Sequence, residues 1–144
     1  MKWFMRKRRQ ERLRRAKLAD IITRADKLIY SKKLFANPHF SKNDLAVELG
    51  TNRTYIGEAL LIYKHSDWRG YINSFRLRYY LEIARLDENR HVKICDLAEK
   101  CGFGSANTLN RYMRKTYGIT ASAYKKNLST SLSADGKANT ATLS

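Results

Sequence analysis

Proline occurs once in the 144 residues, at Pro38, so almost nothing in the chain forbids helix on account of a missing N–H. Two cysteines are too few for a disulfide scaffold. Cys95 and Cys101 stand six apart and His39, His65 and His91 are scattered singly, so no pair has zinc spacing and both thiols read as small buried hydrophobes. No apolar run approaches the roughly 20 residues that span a bilayer. Trp3-Phe4-Met5 is too short for the apolar part of a secretory signal. Acidic residues are scarce, 13 against 29 Lys and Arg, which leaves a formal net charge of +16. A hydrophobic fraction of 43% nevertheless excludes a wholly disordered polycation. The expectation is a soluble, cytoplasmic, strongly basic protein whose first partner to test is nucleic acid.

The charge is uneven. Residues 1–40 carry 13 basic and 3 acidic side chains, residues 41–90 carry 8 and 7, and residues 91–128 carry 7 and 2. The densest run, Lys2 to Lys17, holds nine Lys/Arg and one Glu. A solvated helix face is the plain reading. Contact with a polyanion is preferred, because like charge at this density opposes its own compaction. The final residues, rich in Ser, Thr, Ala and Asn, lack apolar periodicity and read as a disordered tail.

Between these ends apolar residues recur at helical spacing. Leu18, Ile21, Ile22, Ala25, Leu28 and Ile29 form one stripe, and Asn37-Pro38 should end that helix because the residue before proline leaves the α region. Ser41 can cap a helix with Leu45, Ala46 and Leu49 inside, stopping at Gly50. Asn52 can cap the next, with Tyr55, Ile56, Ala59 and Leu60 inward. This is helix-turn-helix spacing. The second half repeats it: Asp96 to Lys100, a break at Cys101-Gly102-Phe103-Gly104, a cap at Ser105, a helix through Leu109, Tyr112 and Met113 to Gly118, and a short last helix capped by Thr120. Leu45-Ala46 precedes Gly50 as Leu97-Ala98 precedes Gly102. Between the two lies a helix of about 16 residues, roughly 24 Å at 1.5 Å per residue. Readers separated by it could enter adjacent major grooves, about 34 Å apart. The fold expected is all-α, with a basic segment at 1–17, a first helix-turn-helix unit at 18–70, a linker helix at 71–86, a second unit at 87–127 and a tail at 128–144.

These residues resemble a known family. Gly102-Phe103-x-Ser105, Leu109-x-Arg111, Tyr117-Gly118-Ile119-Thr120 and Tyr124-Lys125 are similar to the second helix-turn-helix of AraC/XylS-type transcription regulators. Leu45-Ala46 with Leu49-Gly50-Thr51-Asn52-Arg53-Thr54-Tyr55-Ile56 resembles the first, and Tyr71-Ile72-Asn73 with Arg76-Leu77 the start of the linker helix. The resemblance covers about residues 28–127. It implies a sequence-specific regulator that lays two reader helices in the major groove of double-stranded DNA. Carried over by position, the second reader presents Ser105, Ala106, Asn107, Thr108, Asn110, Arg111 and Arg114, and the first presents Asn52, Arg53, Thr54, Tyr55, Gly57 and Glu58. Asn107 and Asn110 have the donor–acceptor pair that clasps adenine, and Arg111 reaches guanine or phosphate. Gly57 offers no side chain, whereas Glu58 would repel phosphate and accept only from a cytosine amino group. The second unit is therefore expected to contribute more to sequence choice. Leu109 and Met113 replace the family's frequent phenylalanine, and Ala121 its usual proline. Tyr80 and Ala84 exchange the sizes of the family's small residue and leucine, either compensating in volume on one helix face or with Tyr80 turned outward.

Catalytic chemistry finds no support. Gly102-Phe103-Gly104 joins two helices rather than a strand and a helix, Asp87-Glu88 reads as a solvated helix end, and no nucleophile–base constellation is present. An enzyme is not expected, nor a metal, a cofactor or a small-molecule effector site. The 16 aromatic residues, Tyr55, Trp68, Tyr71 and Phe75 among them, fall mostly at helical spacing, which ranks core packing above single-strand stacking. The transcription machinery is a candidate partner. So is a membrane surface, because Trp3-Phe4-Met5 before Arg6-Lys7-Arg8-Arg9 resembles the cytosolic edge of a membrane segment. The alternative function is accordingly a membrane-proximal cytosolic output domain of a larger sensor-regulator, still acting on DNA.

Overall fold

The structure is a computed structural model that describes the backbone of residues 1–142 and the side chains of residues 1–131. The fold is all-α, with seven α-helices among the described residues: α1 (Lys2–Lys32), α2 (Lys42–Leu49), α3 (Arg53–Lys64), α4 (Trp68–Ile83), α5 (Ile94–Lys100), α6 (Ala106–Tyr117) and α7 (Ala121–Thr142). Two compact units divide the chain, Met1–Phe75 and Arg76–Ser144, so α4 belongs to the first through Phe75 and to the second from Arg76.

In the first unit residues 1–17 are exposed throughout and burial begins at Leu18. The stripe Leu18, Ile21, Ile22, Ala25 and Ile29 is buried, together with Leu45, Leu49, Ile56, Ala59 and Leu60 from α2 and α3. Each large apolar side chain so buried contributes about 1.5–3 kcal/mol before entropy is charged. Helix α1 ends earlier than the proline rule predicts: Lys33 adopts the left-handed conformation at φ 50°, and a 3-10 turn at Leu34–Ala36 follows. Phe35 is buried there and stacks on Phe75, 6.2 Å between ring centres, so packing of this aromatic turns the chain before Asn37-Pro38 is reached. Helix α4 starts at Trp68 rather than Tyr71 because the Asp67 carboxylate accepts the Gly70 N–H at 2.8 Å, a cap that the sequence reading passed over. It stops at Ile83 rather than Leu86, where the buried Asn89 amide donates to the Ile83 carbonyl at 2.9 Å.

The second unit packs Leu77, Tyr80, Ile83 and Ala84 with Leu97, Ala98, Phe103, Leu109 and Met113. Tyr80 turns inward, fully buried, and donates its hydroxyl to the Ala121 carbonyl at 2.8 Å. Ala84 is buried in the same cluster, as the size exchange requires. Cys101 is buried and its thiol is pushed up to about 12 by burial, whereas Cys95 is exposed, which corrects the reading of both thiols as core. The tail expected from residue 128 is helical backbone as far as Thr142, so the last helix is long rather than short. No proline interrupts it, and the hydroxyls of Ser129, Thr130 and Ser131 bond to carbonyls four residues back, which satisfies them within the helix without stabilising it. Residues 143–144 of that expected tail lie outside the described residues.

Tyr80→Phe leaves the Ala121 carbonyl without its buried donor and should destabilise the protein by about 1–2 kcal/mol. Tyr80→Ala should cost about 3–5 kcal/mol through the cavity it opens. Denaturant midpoints at unchanged slope would show both, and a neutral Tyr80→Phe would remove the hydroxyl's structural role.

Candidate nucleic-acid interface

Both helix-turn-helix units are built by the same local devices. The Thr51 N–H donates to the Ala46 carbonyl at 2.9 Å across Gly50, and the Phe103 N–H donates to the Ala98 carbonyl at 3.0 Å across Gly102. Each glycine has a positive φ, 66° at Gly50 and 93° at Gly102, which a side chain at Cβ would oppose. The weak sequence repeat is thus a repeat of turn geometry. Each turn delivers the chain to a cap. The Asn52 side chain accepts the Tyr55 N–H at 2.9 Å and the Ser105 hydroxyl oxygen accepts the Thr108 N–H at 3.2 Å, starting α3 and α6 respectively. In the first unit Ser41 and Asp44 form a reciprocal capping box at the start of α2, which holds the Asp44 carboxyl below its ordinary range by hydrogen bonds to the Ser41 backbone and hydroxyl.

Helix α6 buries Leu109 and Met113 and leaves Asn107, Arg111 and Arg114 exposed. These three stand at i, i+4 and i+7, so they form one stripe. Ala106 is half-buried beside it. Two expected readers are already engaged. Ser105 spends its oxygen on the cap, and its hydroxyl lies 3.1 Å from that of Thr108. Asn110 is half-buried, and its carbonyl oxygen accepts the Ala121 N–H at 2.9 Å. That bond commits its oxygen to the start of α7, where it acts as a cap. Of the expected readers on α6 that carry long polar side chains, Asn107, Arg111 and Arg114 are the exposed ones.

In the first unit Arg53 and Thr54 are exposed at the start of α3. Asn52 is committed to the cap, and the half-buried Tyr55 ring carries the Lys17 ammonium 4.8 Å from its centre. Glu58 is bound by Arg14 of α1 at 2.6 Å, so it does not stand free to accept from a cytosine. The pair is half-exposed and worth little to stability. Its effect is local neutralisation, which removes the repulsion of phosphate expected from the bare carboxylate. Lys42 of α2 is the residue that sequence reasoning missed: its ammonium lies 3.6 Å from where a Cβ on Gly57 would stand, placing a cation beside the side-chain-free position of α3. No spacing rule announces Arg14 with Glu58, which are 44 residues apart.

Tyr71 and Phe75 meet edge to face at 5.1 Å, and Trp68 lies against Phe40 and Tyr71, so these aromatics pack together. The Tyr71 hydroxyl donates to Asp26 at 2.5 Å, and burial with that bond raises its pKa far above the phenol range. Among the described residues no group of three His, Cys, Asp or Glu could hold a metal ion, and no helix is long and apolar enough to cross a membrane.

No protein-family model matches this chain, and no curated protein matches it. Three solved structures share its fold. A protein of unknown function from Listeria innocua aligns with a TM-score of 0.57 and 22% identity, over 70% of this chain and 92% of that one. The C-terminal domain of AraT, a response regulator from Geobacillus stearothermophilus, aligns with a TM-score of 0.58 and 17% identity, over 74% and 84%. The C-terminal domain of the two-component response regulator yesN from Fusobacterium nucleatum aligns with a TM-score of 0.51 and 19% identity, over 69% and 97%. At these identities the likeness is one of fold.

Asn110→Ala should lower stability by about 1 kcal/mol through the lost cap bond, while Arg111→Ala, one residue on and exposed, should stay within about 0.5 kcal/mol of the parent. Thermal or denaturant unfolding of the two variants checks the division. Equal losses would mean that Asn110 has no such structural duty.

Proposed function

We propose that this chain is a sequence-specific, double-stranded-DNA-binding transcription regulator of the AraC/XylS type, with α3 and α6 entering adjacent major grooves. The observation that carries the reading is the stripe Asn107, Arg111 and Arg114 on α6, exposed on a capped helix that follows a tight glycine turn. An amide and two guanidiniums at that spacing are the chemistry that base edges and phosphates recognise. The net charge of +16 supplies the sequence-independent attraction. Two of the solved structures that share the fold are C-terminal domains of response regulators, which agrees with a regulatory role.

Within this reading α6 carries most of the base choice, and Arg53 and Thr54 are what α3 has left to offer, since its other candidates hold a cap, a cation or an ion pair. Aromatic packing within the first unit argues against a single-strand platform, because Tyr71 is buried and Trp68 and Phe75 are half-buried.

Fluorescence anisotropy on duplex and single-stranded probes of one sequence should show tighter binding to the duplex. Affinity for the duplex should fall steeply with salt, about a thousandfold or more between 50 and 200 mM if six or more phosphates are neutralised. Equal affinity for both probes, or indifference to salt, would overturn the duplex reading.

A further inference from the structure

We infer that the N-terminal end of α1 is a docking surface for an anionic phospholipid bilayer, bound from the surface rather than spanning it. Helix α1 meets α3 through the Arg14–Glu58 ion pair, the Lys17 ammonium over the Tyr55 ring and the Tyr63 hydroxyl donating to the Arg15 carbonyl at 2.9 Å. The twelve residues from Lys2 to Leu13 run on ahead of those ties for about 18 Å of helix. They are exposed along their whole length. Two features coexist on this projection. Lys2, Arg6, Lys7, Arg8, Arg9 and Arg12 stand against the single Glu11, which is engaged by Arg14 and Arg15 at 3.9 and 3.6 Å. The tip is apolar: Trp3 and Phe4 are each 64% exposed and pack edge to face at 5.1 Å, and Met5 is 70% exposed.

Three partners could cover this surface, and the combination selects one. A second copy of the chain would bring two strongly cationic helices together, which like-charge repulsion opposes. DNA phosphates suit the lysines and arginines, but DNA covers Trp3, Phe4 and Met5 only where base steps are unstacked at a cost of a few kcal/mol. An anionic bilayer answers both, with phosphate headgroups for the cations and an acyl boundary for the aromatic tip, where tryptophan and phenylalanine settle. Either signal alone binds weakly and reversibly, and the two together make a stable association. No helix among the described residues is long and apolar enough to span, and the exposed cations of Lys2 to Arg12 suit contact at the headgroups.

The full chain should sediment with vesicles of phosphatidylglycerol and phosphatidylcholine and not with phosphatidylcholine alone at matched salt. Replacing Arg6, Arg8 and Arg9 by Gln should weaken vesicle binding about a hundredfold. The triple change Trp3→Ser, Phe4→Ser and Met5→Ser should weaken it about tenfold or more. That second variant should keep the parent's duplex affinity. Brominated anionic lipid should quench the parent's tryptophan emission more than that of Trp3→Phe. All these side chains are exposed, so circular dichroism should match the parent. Equal binding to neutral vesicles, a serine variant that binds anionic vesicles as the parent does, or equal quenching of the parent and Trp3→Phe would overturn the proposal. So would duplex affinity lost in the serine variant without any vesicle binding, which would make the tip an apolar wedge on DNA. None of these outcomes bears on duplex recognition by α6, which is read separately by anisotropy.

Discussion

A helix begins with four backbone N–H groups that have no partner within it, and this protein meets that demand with side-chain oxygens at almost every turn. Ser41, Asn52, Asp67, Ser105 and Thr120 each accept such an N–H at the start of a helix. Asn110 reaches from α6 to the N-terminus of α7 for the same purpose. Those bonds set where α3 and α6 start, and hence which residues face outward on them. They also withdraw oxygens from any other use, since an oxygen that caps a helix is poorly placed to meet a base edge. The candidate interface is what remains after the caps are satisfied: Asn107, Arg111 and Arg114 on one unit, Arg53 and Thr54 on the other.

Charge is arranged by the same economy of partners. Several carboxylates of the first unit are spent on neighbours, Glu58 on Arg14, Asp26 on Lys64 and the Tyr71 hydroxyl, Asp20 on Arg24. Each pair is half-exposed and adds little stability. Exposed positive charge stands in stretches that make no core: the projecting end of α1 in the first unit, and Arg111, Arg114 and Lys115 of α6 in the second. In the second unit Lys125 donates to the Val92 carbonyl, and partial burial lowers its pKa. That cation is a structural element rather than part of the free surface.

Much of the fold could be read in the sequence because its determinants are local. Helical periodicity marked Leu18 to Ile29, and Gly50, Gly102, Ser41, Asn52, Ser105 and Thr120 marked turns and starts within a few residues. Departures arose where tertiary packing or an unremarked cap decided a boundary, as with Phe35 ending α1 early and Asp67 starting α4 early. Tyr80 could not be oriented from sequence, because its partner carbonyl at Ala121 is 41 residues away. The geometry of the candidate interface was legible only in part. Position along α6 indicated Asn107 and Arg111, but the capture of Asn110 by Ala121 and of Glu58 by Arg14 depends on contacts that no spacing reveals. Lys42 beside Gly57 belongs to the same class.

In the function proposed here, base choice resides in the exposed stripe of α6. Selection from a random duplex pool with the parent chain and with Arg111→Ala, followed by sequencing of the retained DNA, tests it most directly. The parent should enrich a defined motif, and the variant should lose preference at one or two base pairs of it while keeping the rest, a discrimination of about 1–3 kcal/mol at those positions. Identical motifs from both chains, or no enrichment by the parent, would contradict it.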